Sequence, residues 1–194
     1  MNSELPILND IKEYLIFISQ VKNLSQNTKK SYERDLKKLS SFLNRLNITC
    51  YSEINEEICS AWIGDLYALN NNPKSIQRHL SSAKGFFKFL KKNNVISSSP
   101  FELVTAPRSS SMLPEVLSPE DVEQLLNFKP SNNLEVRDVA LVELMYSTGL
   151  RVSEAVNINI CDFEENKTFL RVLGKGSKTR LVPLGRFAIN AINH

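Results

Sequence analysis

Histidine and cysteine are scarce in this sequence of 194 residues, which contains two histidines and three cysteines. The cysteines, Cys50, Cys59 and Cys161, lie far apart and outside any C-x-x-C spacing, so neither a zinc site nor a disulfide framework is expected. Buried thiols in a reducing compartment are the simpler interpretation. We therefore expect no bound metal.

Long apolar runs are also lacking, because no stretch is long enough to span a bilayer. The first residues do not show the basic, apolar and small-residue regions of a signal peptide. Together with the interpretation of the cysteines, this predicts a cytoplasmic protein. A hydrophobic content of 42% is sufficient for one good core or two small ones.

A strong net charge is absent as well, since the formal charge is only +3. The charges are unevenly placed, however: residues 1–108 hold 15 Lys and Arg against 10 Asp and Glu, while residues 109–194 hold 9 against 11. The positive excess thus belongs to the first half of the chain. Alone, it is weak support for a nucleic-acid partner, because many soluble domains are mildly basic.

The first half has the apolar periodicity of a small helical bundle, with predicted helices near residues 11–21, 25–46, 55–69 and 73–91. Two of these helices also carry cations at helical spacing, opposite their apolar faces. The candidate DNA-binding residues are Lys30, Arg34, Lys37 and Lys38 on the second helix and Arg78, Lys84 and Lys88 on the fourth. Such faces suit a phosphate backbone, although lysine stripes on amphipathic helices are more often ordinary solvated faces.

A segment rich in serine and proline separates this bundle from the second half. We predict a helical domain over residues 1–98, an extended linker over 99–114 and a second domain over 115–194. The second domain begins with a helix that Ser118 caps and Pro119 opens. A helix over 134–148, a short helix and a β-hairpin with strands near 168–173 and 178–183 follow. The fold class is therefore mainly α, with a small β-hairpin.

Two turns of the second domain carry single cations. Arg151 directly follows Gly149, which suits the left-handed end of a helix, so the arginine is expected at a corner between two helices. Lys175 stands between two glycines at the tip of the predicted hairpin, and Lys178 and Arg180 follow it as candidate DNA contacts. Cations held on turns between rigid elements suit a site that acts on a phosphodiester.

Several ordered motifs carry a family resemblance. They are Leu24-Ser25-Gln26-Asn27-Thr28, Arg78-His79-Leu80-Ser81-Ser82, Ser99-Pro100-Phe101, Thr148-Gly149-Leu150-Arg151-Val152-Ser153-Glu154 and Gly174-Lys175-Gly176-Ser177-Lys178-Thr179-Arg180. In this order and spacing they resemble the tyrosine recombinases, and specifically the Xer type that resolves chromosome dimers in bacteria. The resemblance covers nearly the whole chain.

The resemblance implies a fold and a partner. An N-terminal helical core-binding domain of the SAM-like type would be joined to an α/β catalytic domain, and the two would clamp double-stranded DNA. In the full-length family, a sister recombinase and a tetrameric synaptic complex are further partners. The family's processes are DNA recombination and integration, with roles in chromosome partition, cell division and the cell cycle.

The resemblance also implies a chemistry that needs no metal and no cofactor. A tyrosine attacks the scissile phosphodiester and forms a 3′-phosphotyrosine, which conserves the bond energy for religation. Arg151 would be the first of two arginines that hold the non-bridging oxygens, and Lys175 would be the general acid for the departing 5′-oxygen. Glu154 would orient nearby groups, or simply lie exposed on its helix.

Other parts of the family pattern are not found in this sequence. The His-x-x-Arg motif and the nucleophilic tyrosine that follows it would both come after His194, so we expect an incomplete catalytic domain that does not cleave DNA alone. Two alternatives to a chromosomal recombinase remain open: a non-catalytic DNA-binding fragment, and a phage or transposon integrase. An unrelated helical regulator would require the ordered motifs to be a coincidence.

Overall fold

Helices dominate the part of the chain that the structure describes, which is residues 7–22, 24–106, 116–174 and 178–193 of a computed structural model. The chain divides into two compact units, Met1–Met112 and Leu113–His194. Each unit has a hydrophobic core of its own. The predicted fold class, mainly helical with one small β-hairpin, is confirmed.

The first unit contains the helices α1 (Ile7–Gln20), α2 (Gln26–Arg45), α3 (Glu56–Ala68) and α4 (Pro73–Lys92), with a 3-10 turn at Tyr51–Glu53. Short polar side chains begin three of them. The Ser25 hydroxyl accepts a hydrogen bond from the Thr28 N–H at 3.2 Å. In the same way, the Asn55 side chain accepts from the backbone N–H of Ile58, and the Asn72 side chain accepts from the backbone N–H of Lys74. These contacts satisfy backbone donors that a helix leaves unpaired at its start, which fixes where each helix begins.

Asparagine, rather than glycine, follows the ends of three of these helices. Asn47, Asn70 and Asn94 have φ angles of 54°, 55° and 57°, just beyond α2, α3 and α4. This left-handed conformation is costly for most side chains, and asparagine is among the few residues that adopt it readily. The chain therefore turns sharply after each helix with little glycine.

Aromatic side chains fill the first core. Trp62 on α3 meets Phe101 edge to face at 5.8 Å, and Phe87 on α4 meets Phe101 at 5.0 Å. Tyr14 on α1 packs against Phe86 at 5.7 Å, and all five rings are at most 2% exposed. Aromatic pairs at these distances contribute beyond the apolar area that they bury. This cluster joins α1, α3, α4 and the segment that follows α4 into one core.

Gly85 lies in α4 against the ring of Tyr14, where a Cβ atom would collide with the tyrosine hydroxyl and come within 3.4 Å of its Cζ. Alanine favours a helix over glycine by about 1 kcal/mol, but overpacking a rigid core costs about 1–3 kcal/mol. Because Tyr14 is only 2% exposed and has little room to move, we expect Gly85→Ala to destabilise the first unit by about 1 kcal/mol. Urea unfolding measures this change.

Gly64 in α3 provides the matched control, because a Cβ atom there would meet nothing within 4 Å. Gly64→Ala should therefore show only the helix preference, a gain of about 0.5–1 kcal/mol. The two alanine variants should thus shift stability in opposite directions. A gain in both would mean that Tyr14 adjusts without cost.

The segment after α4 begins as part of the first unit. Phe101 and Val104 are 0% and 3% exposed and belong to the first core, although the sequence predicts a linker over residues 99–114. They are buried because the aromatic cluster leaves an apolar site that Phe101 fills. The domain boundaries remain a prediction, and residues 107–115 of the predicted linker lie outside the described residues.

The second unit contains α5 (Pro119–Leu126), α6 (Asn133–Thr148), the short α7 (Val152–Ala155), a 3-10 turn at Ile160–Asp162, strands β1 (Phe169–Leu173) and β2 (Thr179–Pro183), and α8 (Arg186–Asn193). The strands pair antiparallel, with Arg171 opposite Leu181. Leu170 and Val172 point inward from β1 and join Leu144 of α6 and Ala188 of α8 in the second core. This core positions the turn between α6 and α7.

The cysteine prediction is right for one residue and wrong for two. Cys59 is buried in the first core, but Cys50 and Cys161 are exposed, each beside or within a 3-10 turn at the surface. Both cysteines have apolar neighbours in the sequence, but a short turn has no continuous face that packs against the core, so their side chains stay exposed. In the described part of the chain, none of the helices has the length and apolar character needed to cross a membrane.

Candidate active site and nucleic-acid interface

Arg151 lies at the corner between α6 and α7. Gly149 ends α6 with a φ of 65°, and its N–H donates to the Met145 carbonyl at 2.9 Å. Leu150 is 4% exposed and anchors the corner in the second core. Arg151 then begins α7 from an extended conformation, and its side chain is 72% exposed. The corner is thus rigid while the guanidinium reaches solvent.

Glu154 holds the backbone of this corner. Its carboxylate accepts from the Arg151 N–H at 2.9 Å and from the Arg151 Nη1 at 3.3 Å, and its side chain is only 7% exposed. The sequence left two interpretations for Glu154, an orienting group or an exposed helix acid, and this geometry corresponds to the first. Hydrogen bonding from Arg180, and then from the Arg151 backbone, lowers the pKa of Glu154 to about 2.

Arg180 connects the β-hairpin to the same carboxylate. From β2, its Nη1 and Nη2 each donate to one oxygen of Glu154 at 3.0 Å, and this ion pair raises the pKa of Arg180. A planar guanidinium matches the two oxygens of a carboxylate in this bidentate form. The sequence predicts a DNA contact for Arg180, whereas the structure places its guanidinium on Glu154.

The two residues that flank the hairpin turn, Gly174 and Lys178, are joined by a backbone hydrogen bond. The Gly174 N–H donates to the Lys178 carbonyl at 2.8 Å, next to the pair formed by Leu173 and Thr179. Lys175, the predicted general acid, lies outside the described residues, as do 176 and 177. Lys178, a predicted DNA contact, is described and exposed. Lys175 therefore directly follows Gly174, a described and anchored position.

The predicted basic face of α2 is exposed, as Lys30, Arg34, Lys37 and Lys38 all reach solvent. Three of these cations have partners: Lys37 Nζ lies 2.7 Å from Glu33 Oε1, Lys38 Nζ lies 3.5 Å from the Asn71 side chain, and Arg34 Nη2 donates to the Ser31 hydroxyl at 3.4 Å. Hydrogen bonding from Lys37 lowers the pKa of Glu33. Exposed pairs of this kind are weak, so these side chains can exchange them for other anions.

The lysines of α4 lie beside the segment that follows the helix. Lys84 Nζ donates to the Glu102 carbonyl at 3.3 Å, and Lys91 Nζ lies 4.0 Å from the Glu102 carboxylate. Lys88, between them, is exposed. Lys88 is therefore the better placed of the two predicted α4 lysines to meet an external phosphate.

Arg78 is held by a buried acid. Its Nε and Nη2 each donate to one oxygen of Asp35 at 2.8 Å, and Asp35 is 1% exposed. This hydrogen bonding raises the pKa of Arg78, although the arginine remains 41% exposed. The sequence predicts Arg78 to be a DNA contact; the structure gives it a bond between α2 and α4.

His79 lies on the other side of Asp35. Its Nδ1 is 3.1 Å from Asp35 Oδ1, though not in hydrogen-bond geometry, and the ring is 1% exposed. Burial lowers the pKa of His79, against the opposing effect of the Asp35 charge. The histidine therefore packs in its neutral form near pH 7.

Sequence reasoning missed the roles of Asp35 and Arg180 because both are defined by partners distant in the chain. A signal for Asp35 does exist: it directly precedes the buried Leu36, and it falls on the inward side of an amphipathic helix. A charge at such a position needs a partner of opposite charge. For Arg180 there is no such signal, because the alternation of side chains along β2 does not show which acidic residue pairs with it.

Two family models match the chain. The model described as phage integrase, N-terminal SAM-like domain, matches residues 11–94, and the model described as phage integrase family matches residues 115–194. These matches fall in the first and second units. Together with the fold and with the relatives described next, they place the chain in the phage integrase family, whose members are the tyrosine recombinases, a family of enzymes that transfer DNA strands.

The curated relatives are Xer recombinases. The tyrosine recombinase XerD of Oceanobacillus iheyensis is 36% identical over 179 residues, which cover 90% of this chain and 59% of that protein. The tyrosine recombinase XerC of Syntrophus aciditrophicus is 34% identical over 190 residues, which cover 94% of this chain and 61% of that protein. The chain therefore spans about three fifths of the length of the curated relatives that it matches.

Solved structures share the fold at lower identity. The XerH site-specific recombinase, bound to a palindromic difH substrate in a post-cleavage complex, is 21% identical with a TM-score of 0.67, and the match covers 99% of this chain and 62% of XerH. A lambda integrase dimer bound to a COC′ core site is 15% identical with a TM-score of 0.75, and the match covers 96% of this chain and 68% of the lambda integrase chain.

Proposed function

We propose that this chain binds double-stranded DNA and supplies Arg151 and Lys175 to a site-specific tyrosine recombinase, which cuts and rejoins DNA through a 3′-phosphotyrosine. The observation that carries the proposal is the Arg151 corner. Its backbone is fixed by Gly149, Leu150 and Glu154, while its guanidinium is 72% exposed. The XerD and XerC relatives support the same activity by their names.

The proposed chemistry uses Arg151 as a fixed positive charge. Its guanidinium would donate to the non-bridging oxygens of the scissile phosphate, where negative charge develops during attack. A donor whose backbone is already in place needs less rearrangement during the reaction, and the corner fixes the Arg151 backbone. Lys175, which directly follows Gly174 in the sequence, would protonate the departing 5′-oxygen.

Binding of the duplex would rest on a set of cations in the first unit, which are exposed except for the half-exposed Lys84. Lys30, Arg34, Lys37 and Lys38 on α2, with Lys84 and Lys88 on α4, lie on a unit that carries most of the positive charge. Phosphate contacts of this type position a protein on DNA without reading its sequence. Arg78 and Arg180 have a lesser part in this proposal, because each already binds a carboxylate.

The biological setting belongs to the same proposal. Similarity to XerD and XerC supports chromosome dimer resolution in the cytoplasm, with a sister recombinase and a tetrameric complex as partners. An integrase of a phage or transposon is the alternative, and the fold shared with lambda integrase is compatible with it. DNA binding without strand cleavage is the other alternative, and a covalent adduct with a nicked suicide substrate would exclude it.

Salt dependence tests the DNA interface. We expect duplex affinity, measured by fluorescence anisotropy, to fall about 100-fold between about 50 and about 200 mM salt if four phosphates are contacted. The double variant Arg34→Ala with Lys88→Ala should bind every sequence more weakly and reduce the logarithmic salt slope by about 2. Both side chains are exposed, so folding should be unaffected.

A charge-matched control makes this test specific. The double variant Lys12→Ala with Lys129→Ala removes the same charge from exposed positions outside α2 and α4. It should leave the salt slope unchanged. If both double variants weaken binding equally, net charge alone governs the interaction and the proposed faces are wrong.

A further inference from the structure

One buried carboxylate lies between two guanidinium groups in the second unit. Glu154 Oε1 accepts from Arg180 Nη1 at 3.0 Å and from Arg151 Nη1 at 3.3 Å, while Oε2 accepts from Arg180 Nη2 at 3.0 Å and from the Arg151 N–H at 2.9 Å. The carboxylate is 7% exposed, so its charge requires a close cation. Two arginines are available for one negative charge.

The geometry decides which arginine neutralises Glu154. Arg180 binds both oxygens with its two terminal nitrogens, whereas the Arg151 side chain reaches only one oxygen and at a longer distance. Bidentate pairing is the stronger form of this interaction. Arg180 therefore satisfies the carboxylate, and the Arg151 guanidinium keeps most of its donors directed to solvent.

Gly174 gives Arg180 the space to do this. A Cβ atom at residue 174 would lie 2.7 Å from Arg180 Nη1 and 3.6 Å from Glu154 Oε1. Among the described glycines, only Gly149 has a positive φ, so the backbone at 174 does not itself require glycine. The absence of a side chain at this position is what lets the Arg180 guanidinium lie against residue 174 and reach Glu154.

We propose that Arg180 is a positioning residue: by holding the charge of Glu154 through the space at Gly174, it keeps the Arg151 guanidinium free to bind a phosphate. Without Arg180, Glu154 would retain a buried charge whose remaining cation is Arg151. The Arg151 side chain would then turn onto Glu154 and lose donors for an external anion. The functional part of this inference rests on the proposed function, because it takes the ligand of Arg151 to be a phosphodiester.

The first experiment follows the side chains by NMR and needs no DNA. In Arg180→Gln, the carboxylate pKa of Glu154 should rise from about 2, and rotation of the Arg151 guanidinium should slow as it becomes bidentate. Gly174→Ala should cause the same changes by displacing Arg180, at little cost in stability, because the obstructed atom is the end of a flexible side chain. Arg171→Gln, an exposed arginine on β1, should leave both signals unchanged. If Arg151 rotates as freely in Arg180→Gln as in the native chain, the inference is overturned.

The second experiment measures duplex affinity in the same variants. Arg180→Gln should weaken binding about tenfold, as expected for the loss of one charge-assisted phosphate contact by Arg151. Adding Glu154→Gln should restore the affinity, because a neutral amide no longer attracts Arg151. Adding Glu165→Gln, which restores the same net charge at an exposed position, should not restore it.

The outcomes separate the inference from the proposed function. Equal recovery with Glu154→Gln and Glu165→Gln, or no recovery with either, would mean that Arg180 contributes charge or contacts DNA directly, and would overturn the positioning role. If the native chain binds no duplex, the proposed function fails, while the NMR result still decides whether Arg180 controls Arg151.

Discussion

Phe101→Ala is expected to lower the free energy of unfolding of the first unit by about 3–4 kcal/mol. Phe101 is 0% exposed, and its ring centroid lies 5.8 Å from that of Trp62 and 5.0 Å from that of Phe87. Truncation to alanine therefore removes apolar burial and leaves a cavity among packed rings. The sequence alone predicts a linker at this position, and a linker residue would change stability by less than about 0.5 kcal/mol.

Urea unfolding measured by tryptophan fluorescence tests this prediction. Trp62 is the single tryptophan of the chain and lies in the first core, so its signal reports that unit alone. Leu103→Ala is the matched control, because Leu103 belongs to the same segment and is 74% exposed. Equal midpoints for the two variants would show that Phe101 does not stabilise the first unit.

Arg78→Ala is expected to destabilise the first unit by about 2–3 kcal/mol. Removing one partner of a buried ion pair costs about 3–5 kcal/mol, and we take a smaller value because Arg78 is 41% exposed and water can reach the site. Asp35, at 1% exposed, would keep its charge without the two hydrogen bonds at 2.8 Å. A direct DNA contact alone would predict no such loss.

The effect of Arg78→Ala should also depend on pH. Burial lowers the pKa of His79 below its ordinary value of 6.5, so neutral His79 favours folding above that pH and its contribution declines as pH falls below it. In the variant, protonated His79 would provide Asp35 with a replacement cation at 3.1 Å. The destabilisation should therefore be smaller at about pH 5.5 than at about pH 8.

Arg34→Ala provides the control for this measurement. Arg34 directly precedes Asp35 on α2 and is exposed, so its removal should change stability by less than about 0.5 kcal/mol at either pH. Equal losses in Arg78→Ala and Arg34→Ala would show that the buried pair does not stabilise the fold. A loss in Arg78→Ala that is independent of pH would show that His79 does not replace Arg78.

Most of the fold could be predicted from local patterns. Helix α6 and the two strands lie within a residue or two of their predicted bounds, because apolar spacing, Asn132 as a cap and Gly149 as an end all act over a few residues. The burial of Phe101 could not be predicted in this way. Its neighbours in sequence are typical of a linker, and its partners Trp62 and Phe87 are distant in the chain.

In the candidate site, too, local features could be predicted from the sequence and contacts between distant residues could not. The corner at Arg151 could be predicted, because a glycine at a helix end determines the position of the next residue. The partners of the cations could not be predicted, because a stripe of lysines and arginines does not show which of them form ion pairs with Asp or Glu. Arg78 and Arg180 were candidates equal to Lys88 on sequence, and only tertiary contacts distinguish them. The DNA contacts themselves remain predictions.

The two separate cores have a consequence for how such a protein diversifies. Among the described residues, no buried hydrophobic side chain belongs to both cores. Under the proposed function, the cations that hold the duplex lie mainly in one unit and the charge that meets the reacting phosphate lies in the other. Substitutions that change how tightly the duplex is held can therefore accumulate in the first unit while the packing around Arg151 stays intact. The strength of DNA binding and the chemistry can evolve at different rates.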